Sequence, residues 1–504
     1  MNRARRADAA HFPVGVDPES VDLTAEASLP AAWAKRWASQ TSKPTLWDAE
    51  TGWVTRGDLA RRSRVAAGRL YGAGLRKGDR IIISAGASVD LVVAHVAALR
   101  LGLIVVPVNG AYQRAELAHI VADADPRAAL VDQPEWARWL AELAPEVTVA
   151  SPRLDIDDND APSLDQLSSG DPALLGYTSG TTGAPKGAVL THGNLLAGAE
   201  SVRIAWRWNP DDCLVLALPL FHMHGLGVGL HGTLLSGASA VLLDGFSPDA
   251  VLDAATRGAT LFFGVPTMYT RLAQSDRVAE LSRLRLCVAG SAPLSADLHR
   301  RLEEAAGVRV LERYGMTETL MLVSNPHDGE RRAGTVGYPL PGVELRLDSE
   351  SDEVLVRGPN VFAGYWRRPE ATAEAFDERG WFRTGDLGEF DERGHLRLRG
   401  RAKELVISGG MNVYPREVED ALRSHPDVED AAVTGTPDEE WGELVTAWVV
   451  PSAGQSPQLD DLRSHLDGVC AHFKHPRLLR LVDELPRNAL GKVQKHLLHQ
   501  SGLE

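Results

Sequence analysis

Cysteine is scarce in this chain of 504 residues. Cys213, Cys287 and Cys470 stand far apart in sequence, so they offer neither a disulfide framework nor metal-ligand spacing. They read as small buried hydrophobes of a protein kept in a reducing, cytoplasmic compartment. Long apolar runs are also missing: the stretch 91–99 is interrupted by His95 and is too short to span a bilayer. The basic opening Met1-Asn2-Arg3-Ala4-Arg5-Arg6 leads into no apolar segment, which excludes a secretory signal. Positive charge is in deficit. A formal net charge of −15 argues against a nucleic-acid partner and against an anionic membrane surface. Lysine is rarer still, supplying eight of the 53 cations. Arginine serves nearly everywhere a generic surface cation is needed, so a retained lysine suggests a need for a compact ammonium on a flexible stem. Lys186, Lys403 and Lys492 all fall inside glycine-rich or charged motifs.

The first of these motifs is Tyr177-Thr178-Ser179-Gly180-Thr181-Thr182-Gly183-Ala184-Pro185-Lys186-Gly187. Small residues let successive backbone N–H groups close around an anion, hydroxyls add donors, and the lysine adds a point charge. Apolar runs on both sides place the loop in a turn between two strands. It is not a Walker A loop, because proline replaces that motif's second glycine and glycine follows the lysine.

The length implies more than one domain. Residues 1–30 are polar and read as a loosely packed arm. A β-branched strand at Arg80–Ser84, a helix at Val89–Leu101 and a strand at 104–108 form a βαβ unit, which predicts a parallel sheet. Further strands are expected at 214–218, 240–243, 261–265, 284–289 and 308–311. After about residue 335, short strands at 343–347, 353–356, 380–382 and 395–399 suggest a β-rich subdomain. From Val406 onward a compact α+β module follows, with helices at 415–424 and 459–471. The expected organisation is therefore α/β: a large domain of packed αβ layers over 31–402, and a small mobile domain over 403–504.

Further clusters carry chemistry. Tyr314-Gly315-Met316-Thr317-Glu318-Thr319 joins a hydroxyl to a carboxylate in a glycine-containing turn, which suits a phosphate–Mg²⁺ pair or, equally, a helix N-cap. Thr384-Gly385-Asp386 offers an acceptor for a diol or an Asx turn. Arg399-Gly400-Arg401-Ala402-Lys403-Glu404 and the following Gly409-Gly410 lie at the expected boundary. Pro486-Arg487-Asn488-Ala489-Leu490-Gly491-Lys492 presents a lysine on a glycine-hinged loop. Phe221-His222-Met223-His224-Gly225 pairs aromatic and histidine side chains without a third metal ligand.

In this order the motifs resemble those of the adenylate-forming (acyl-CoA synthetase, AMP-binding) superfamily, over roughly residues 30–500. The resemblance implies an acid–CoA ligase. A carboxylate attacks the α-phosphate of ATP with loss of pyrophosphate, and coenzyme A then displaces AMP. The nucleophile is already anionic, so no base is needed; cations, N–H groups and Mg²⁺ must supply charge stabilisation. By the resemblance, Thr178, Ser179, Gly180, Thr181, Thr182, Gly183 and Lys186 bind the ATP phosphates. Ser291, Ala292, Pro293 and Tyr314 line the adenine site, and Asp386 and Arg401 hold the ribose. Lys492, Thr317, Glu318 and His222 act in catalysis, with Glu318 on Mg²⁺. Lys403 is the hinge, and Gly409 and Gly410 border the thiol tunnel. His222, Met223, Val265, Gly315 and Met321 form the acyl pocket.

The motifs around Phe221, Gly264 and Glu312 resemble malonyl-CoA ligases in particular. Those ligases pair the distal carboxylate with an arginine after the histidine motif, where this chain has Thr233-Leu234-Leu235-Ser236-Gly237-Ala238-Ser239 and no cation. The expected acid is therefore malonate-like or a short- to medium-chain monocarboxylic acid, with His231 a substitute partner for a second carboxylate. No carrier domain follows Glu504, which favours a free thiol over a carrier protein or amine. The spacing Pro486 to Lys492 also resembles sites modified by protein lysine acetyltransferases.

Overall fold

The computed structural model describes residues 5, 9–154, 162–178, 185–409, 411–438, 440–467, 469–488 and 491–498. The βαβ unit forms as its pattern dictates. Ser88 caps the helix Val89–Leu101 by accepting from Leu91 N, and Gly102 closes it in the left-handed region. The strand Arg80–Ser84 pairs in parallel with both Ile104–Pro107 and Ala128–Val131.

These strands are the centre of a seven-stranded sheet whose far side carries the antiparallel hairpin Pro172–Thr178 and Lys186–Thr191. A nine-stranded sheet runs from Tyr338–Pro339 through Leu311–Tyr314, Leu286–Ala289, Leu261–Gly264 and Cys213–Leu216 to Gly52–Thr55. The helices Val89–Leu101 and His192–Ala205 lie between the two sheets. Their apolar residues share one core with Leu46, Leu214 and Leu216 of one sheet and Ile81, Val105 and Leu174 of the other. Helices Pro248–Thr256 and Ala296–Ala306 cover the outer face of the larger sheet. Arg114–Ala124 and Pro134–Leu143 cover that of the smaller. The result is alternating helical and sheet layers.

Glu344–Leu347, Glu353–Arg357, Phe382–Phe390 and Leu396–Arg401 form a four-stranded antiparallel sheet. The C-terminal sheet, centred on Val428–Asp438 and Gly442–Pro451, has its own core of Val406, Val418, Leu422, Val433, Val449 and Leu466. Among the described residues no helix is long and apolar enough to cross a membrane.

Several expectations shift. The strand read at 308–311 is Leu311–Tyr314, because its partner Leu286–Ala289 offers pairing only to Leu311 and Glu312. Gly380 turns the chain rather than extending it, and the strand starts at Phe382, so Asp386 stands in mid-strand. The helix beginning at Leu459 stops at Leu466, where Asp467 turns extended. The N-terminal arm is tied down: Arg5 exchanges backbone bonds with Leu345, and the Arg207 guanidinium binds the carbonyls of Ala10, His11 and Phe12.

Candidate active site

The hairpin Pro172–Thr178 and Lys186–Thr191 closes with Thr178 opposite Lys186. Ser179, Gly180, Thr181, Thr182 and Gly183 lie outside the described residues, as does Gly410. Lys186 Nζ stands 5.2 Å from the centre of the Tyr365 ring. The Tyr365 hydroxyl donates to Glu318 Oε1 at 3.0 Å. The lysine of the loop and the acid of the 314–319 motif thus meet at one phenol.

That motif is a tight loop leaving the strand Leu311–Tyr314. A side chain at Gly315 would collide with the Leu320 carbonyl, its Cβ falling 1.9 Å away, so the close approach requires glycine. Leu322 N returns to the Tyr314 carbonyl at 2.9 Å. Asn360 Nδ2 braces the loop by donating to the carbonyls of Thr319 at 2.7 Å and Met321 at 2.9 Å. Phe362 N donates to the Glu318 carbonyl at 2.7 Å. Thr317 rests its methyl over Gly176 of the hairpin. Glu318 is buried, and burial lifts its carboxyl above the usual range despite the Tyr365 donor. A buried carboxylate of this kind fits a divalent cation such as Mg²⁺, which would neutralise it, with Glu318 the residue that would hold it.

Asp386 organises the next group. Its Oδ2 accepts from the Tyr314 hydroxyl, and its Oδ1 lies 2.9 Å from Arg401 Nε, the residue opposite on the neighbouring strand. Burial and then Asp386 hold the Tyr314 phenol well above its ordinary pKa, and Asp386 raises that of Arg401. Each carboxylate oxygen keeps a further lone pair for a diol.

Lys492 sits on the turn between Arg487 and Val493, with Asn488 bonded to its backbone in both directions at 2.9 Å. Gly491, at φ +74, seats against Thr267 of the helix Pro266–Ala273; an added Cβ would lie 3.1 Å from the threonine side chain. The ammonium keeps access to solvent, yet loss of hydration and then the Arg401 cation lower its pKa. Lys492 thus lies close enough to Arg401 and Asp386 for their charges to act on it. Lys403 lies exposed in the short turn Ala402–Glu404, and Gly409 N donates to the Trp441 carbonyl at 2.8 Å.

On the other side of the strand Leu311–Tyr314 lie the histidines. Ser291, next to Ala292 and Pro293, has its hydroxyl 3.4 Å from His224 Nδ1. Burial, and then the charge of Arg313, bring His222 down to about 4, so it is neutral at physiological pH. Met223, Val265 and Met321 are buried in the shared core, Met321 against Gly315.

One expectation fails here. His231 is not available to a second carboxylate: it is fully buried, 2.9 Å from His95 Nε2 and packed on Trp33. A buried cation that sequence reasoning passed over is Arg313. Its neighbour Glu312 is saturated, accepting from Leu294 N at 3.0 Å and contacting His299 Nε2 at 3.1 Å. Arg313 points the opposite way, against Gly290. It is 4% exposed, its Nε and Nη2 have no hydrogen-bond partner, and no acid pairs with it among the described residues. Burial draws it down to about 9. The available signal was a charge next to a charge in an otherwise apolar strand.

Fold and site define an AMP-binding enzyme. Residues 33–366 match that family and 417–492 match the AMP-binding enzyme C-terminal domain, and the chain belongs to this family of AMP-forming acid–CoA ligases, which form carbon–sulfur bonds using ATP and coenzyme A, typically with Mg²⁺. Among its relatives, feruloyl-CoA synthase of Amycolatopsis sp is 38% identical, the match covering 88% of this chain and 92% of that one. ATP-bound MatB from Rhodopseudomonas palustris is 40% identical and superposes with a TM-score of 0.90, covering 94% of this chain and 99% of that one. A malonyl-CoA ligase ternary product complex with methylmalonyl-CoA and AMP is 42% identical, covering 89% and 98%, but its TM-score is 0.67.

Proposed function

We propose that this chain activates a small acid carrying a second anionic group, of the malonate type, and transfers it to coenzyme A. The observation that carries the reading is Arg313. A guanidinium buried with two unpartnered donors beside His222 and His224 lacks an anion, and a dianionic acid would bring one. The near carboxylate oxygen attacks the α-phosphorus, forming the P–O bond as pyrophosphate leaves. Lys492 and Lys186 offset the charge that redistributes, while Tyr314, Asp386 and Arg401 hold the nucleoside. The thiol, its proton lost to solvent, then attacks the acyl carbon and AMP leaves. Met223, Val265, Gly315 and Met321 bound the acyl side. The small unit, 403–504, turns about Lys403 to bring Gly409 and Gly410 to the site for this second step. Acetylation of Lys492 by a protein lysine acetyltransferase would block the first step, and the three free thiols suit a cytoplasmic setting.

A second reading has one observation behind it. A narrow apolar cavity lined by Leu220, Phe221, Leu226, Leu230 and His95 lies beside the histidine motif, and it favours an apolar monocarboxylic acid. One panel decides. Pyrophosphate release is measured for malonate, methylmalonate, butyrate, hexanoate and ferulate, with and without coenzyme A. The proposal expects the diacids to lead in kcat/KM and thioester to form only with the thiol. A lead by butyrate, hexanoate or ferulate overturns the dianion. Pyrophosphate release without thioester would point to a carrier protein or an amine as acceptor.

A further inference from the structure

The C-terminal unit holds a cluster that the ligase chemistry does not use. Asp467 ends the helix Leu459–Leu466, and His472 and His475 flank the turn that follows. His472 Nδ1 and His475 Nδ1 are 3.3 Å apart, and each is 3.9 Å from the same atom, Asp467 Oδ1. A point equidistant from the three atoms lies about 2.2 Å from each, within the range of zinc–nitrogen and zinc–oxygen bonds.

The orientation of His475 suits an ion. His475 Nε2 is 3.2 Å from the Cys470 carbonyl, which can only accept. The proton therefore sits on Nε2, and the lone pair on Nδ1 faces the cluster centre. A backbone carbonyl holding the distal nitrogen is how metal-binding histidines are commonly oriented. His475 is buried and fixed, whereas His472 and Asp467 are exposed, so an ion can enter from solvent and keep water as its fourth ligand. Two imidazoles and one carboxylate suit zinc and its first-row neighbours rather than Mg²⁺ or Ca²⁺.

We infer that Asp467, His472 and His475 form a binding site for a divalent zinc-type cation, separate from the Mg²⁺ of the adenylation site. Its structural consequence follows from its neighbours. Lys474, inside the same turn, donates to Glu417 Oε1 at 2.6 Å, and the turn packs against the strand Met411–Val413, which follows Gly409. A bound ion would pin this turn, and with it the hairpin beside the proposed thiol path.

The test uses the untagged full-length protein, stripped with chelator and titrated with Zn²⁺ by calorimetry and with Co²⁺ by visible absorption. Wild type should take up one equivalent of Zn²⁺, and Co²⁺ should show the intense d–d bands of a four-coordinate site. His472→Ala and Asp467→Asn alter exposed side chains and should keep the fold; each should weaken binding by about 100-fold or more and abolish the cobalt bands. His496→Ala, a histidine elsewhere on the surface, should change neither. No bound equivalent in wild type overturns the inference. So does unchanged affinity in both His472→Ala and Asp467→Asn, or an equal loss in His496→Ala.

Discussion

Arg313→Met is the sharpest test of the substrate reading, because two measurements must move in opposite directions. Methionine keeps an unbranched chain of similar reach and can fill the space without a charge. In the free enzyme Arg313 is 4% exposed with Nε and Nη2 unpartnered, so its desolvation is not offset. Replacing such a charge by an apolar residue should stabilise the fold. With a dianionic acid bound the sign reverses. The variant would leave the distal carboxylate buried without its cation, at a cost of about 3–5 kcal/mol. That corresponds to a fall in kcat/KM for malonate of roughly 10²- to several times 10³-fold. A monocarboxylate of similar size should change little, since it makes no bond to the guanidinium.

The assays are thermal unfolding of the ligand-free protein and pyrophosphate release with malonate and butyrate. The expected pattern is a raised unfolding midpoint, a large loss with malonate and a small one with butyrate. A midpoint is an apparent value in a chain of several units, so its sign is what counts. If Arg313→Met lowers the midpoint and reduces both acids equally, Arg313 is a structural cation and the dianion reading is wrong.

The parts of this architecture that could be read from sequence are those where local chemistry and the final fold agree. Ile81, Ile82 and Ile83 make a strand anywhere they can be buried, and Ser88 and Gly102 mark the ends of the helix Val89–Leu101 in the residues themselves. The segment 224–236 was illegible for the opposite reason. Its glycines argue against a helix, yet the structure winds it into π- and α-helical turns. The missing side chains admit neighbours: Leu320 over Gly227, Leu216 over Gly229 and the Trp208 ring over Gly232, each closer than a Cβ would allow. That compensation is tertiary and leaves no local trace. The site divides in the same way. Tyr314, Asp386 and Arg401 could each be picked out by motif, but their direct bonding depends on the register of the strands Phe382–Phe390 and Leu396–Arg401. Arg313 and Glu312 look alike in sequence; only the two faces of one strand separate a saturated carboxylate from an unpartnered guanidinium.

The remaining predictions concern Lys492. Lys492→Ala should lower pyrophosphate release by roughly 10²–10³-fold or more while still converting a supplied acyl-adenylate and coenzyme A to thioester; equal loss of both steps with the fold intact would exclude a role confined to adenylation. Acetyl-lysine encoded at position 492 should give the same split, and normal adenylation by that protein would count against the modification as a switch. The pH dependence follows from the surroundings of the ammonium. Loss of hydration and the nearby Arg401 cation both favour the neutral amine, and both lower its pKa beneath the usual 10.5. The charged form is the one that stabilises departing pyrophosphate, and it is present below that pKa and lost as pH rises through it. The free-enzyme titration appears in kcat/KM for ATP, so this parameter should decline on the alkaline side beginning below pH 10.5. The thioester step, started from supplied adenylate, should lack that limb, because Lys492 is not used there. His222 contributes no acidic limb near neutrality, since burial has already brought it to about 4. An alkaline decline that persists unchanged in Lys492→Ala would assign the titration to another group.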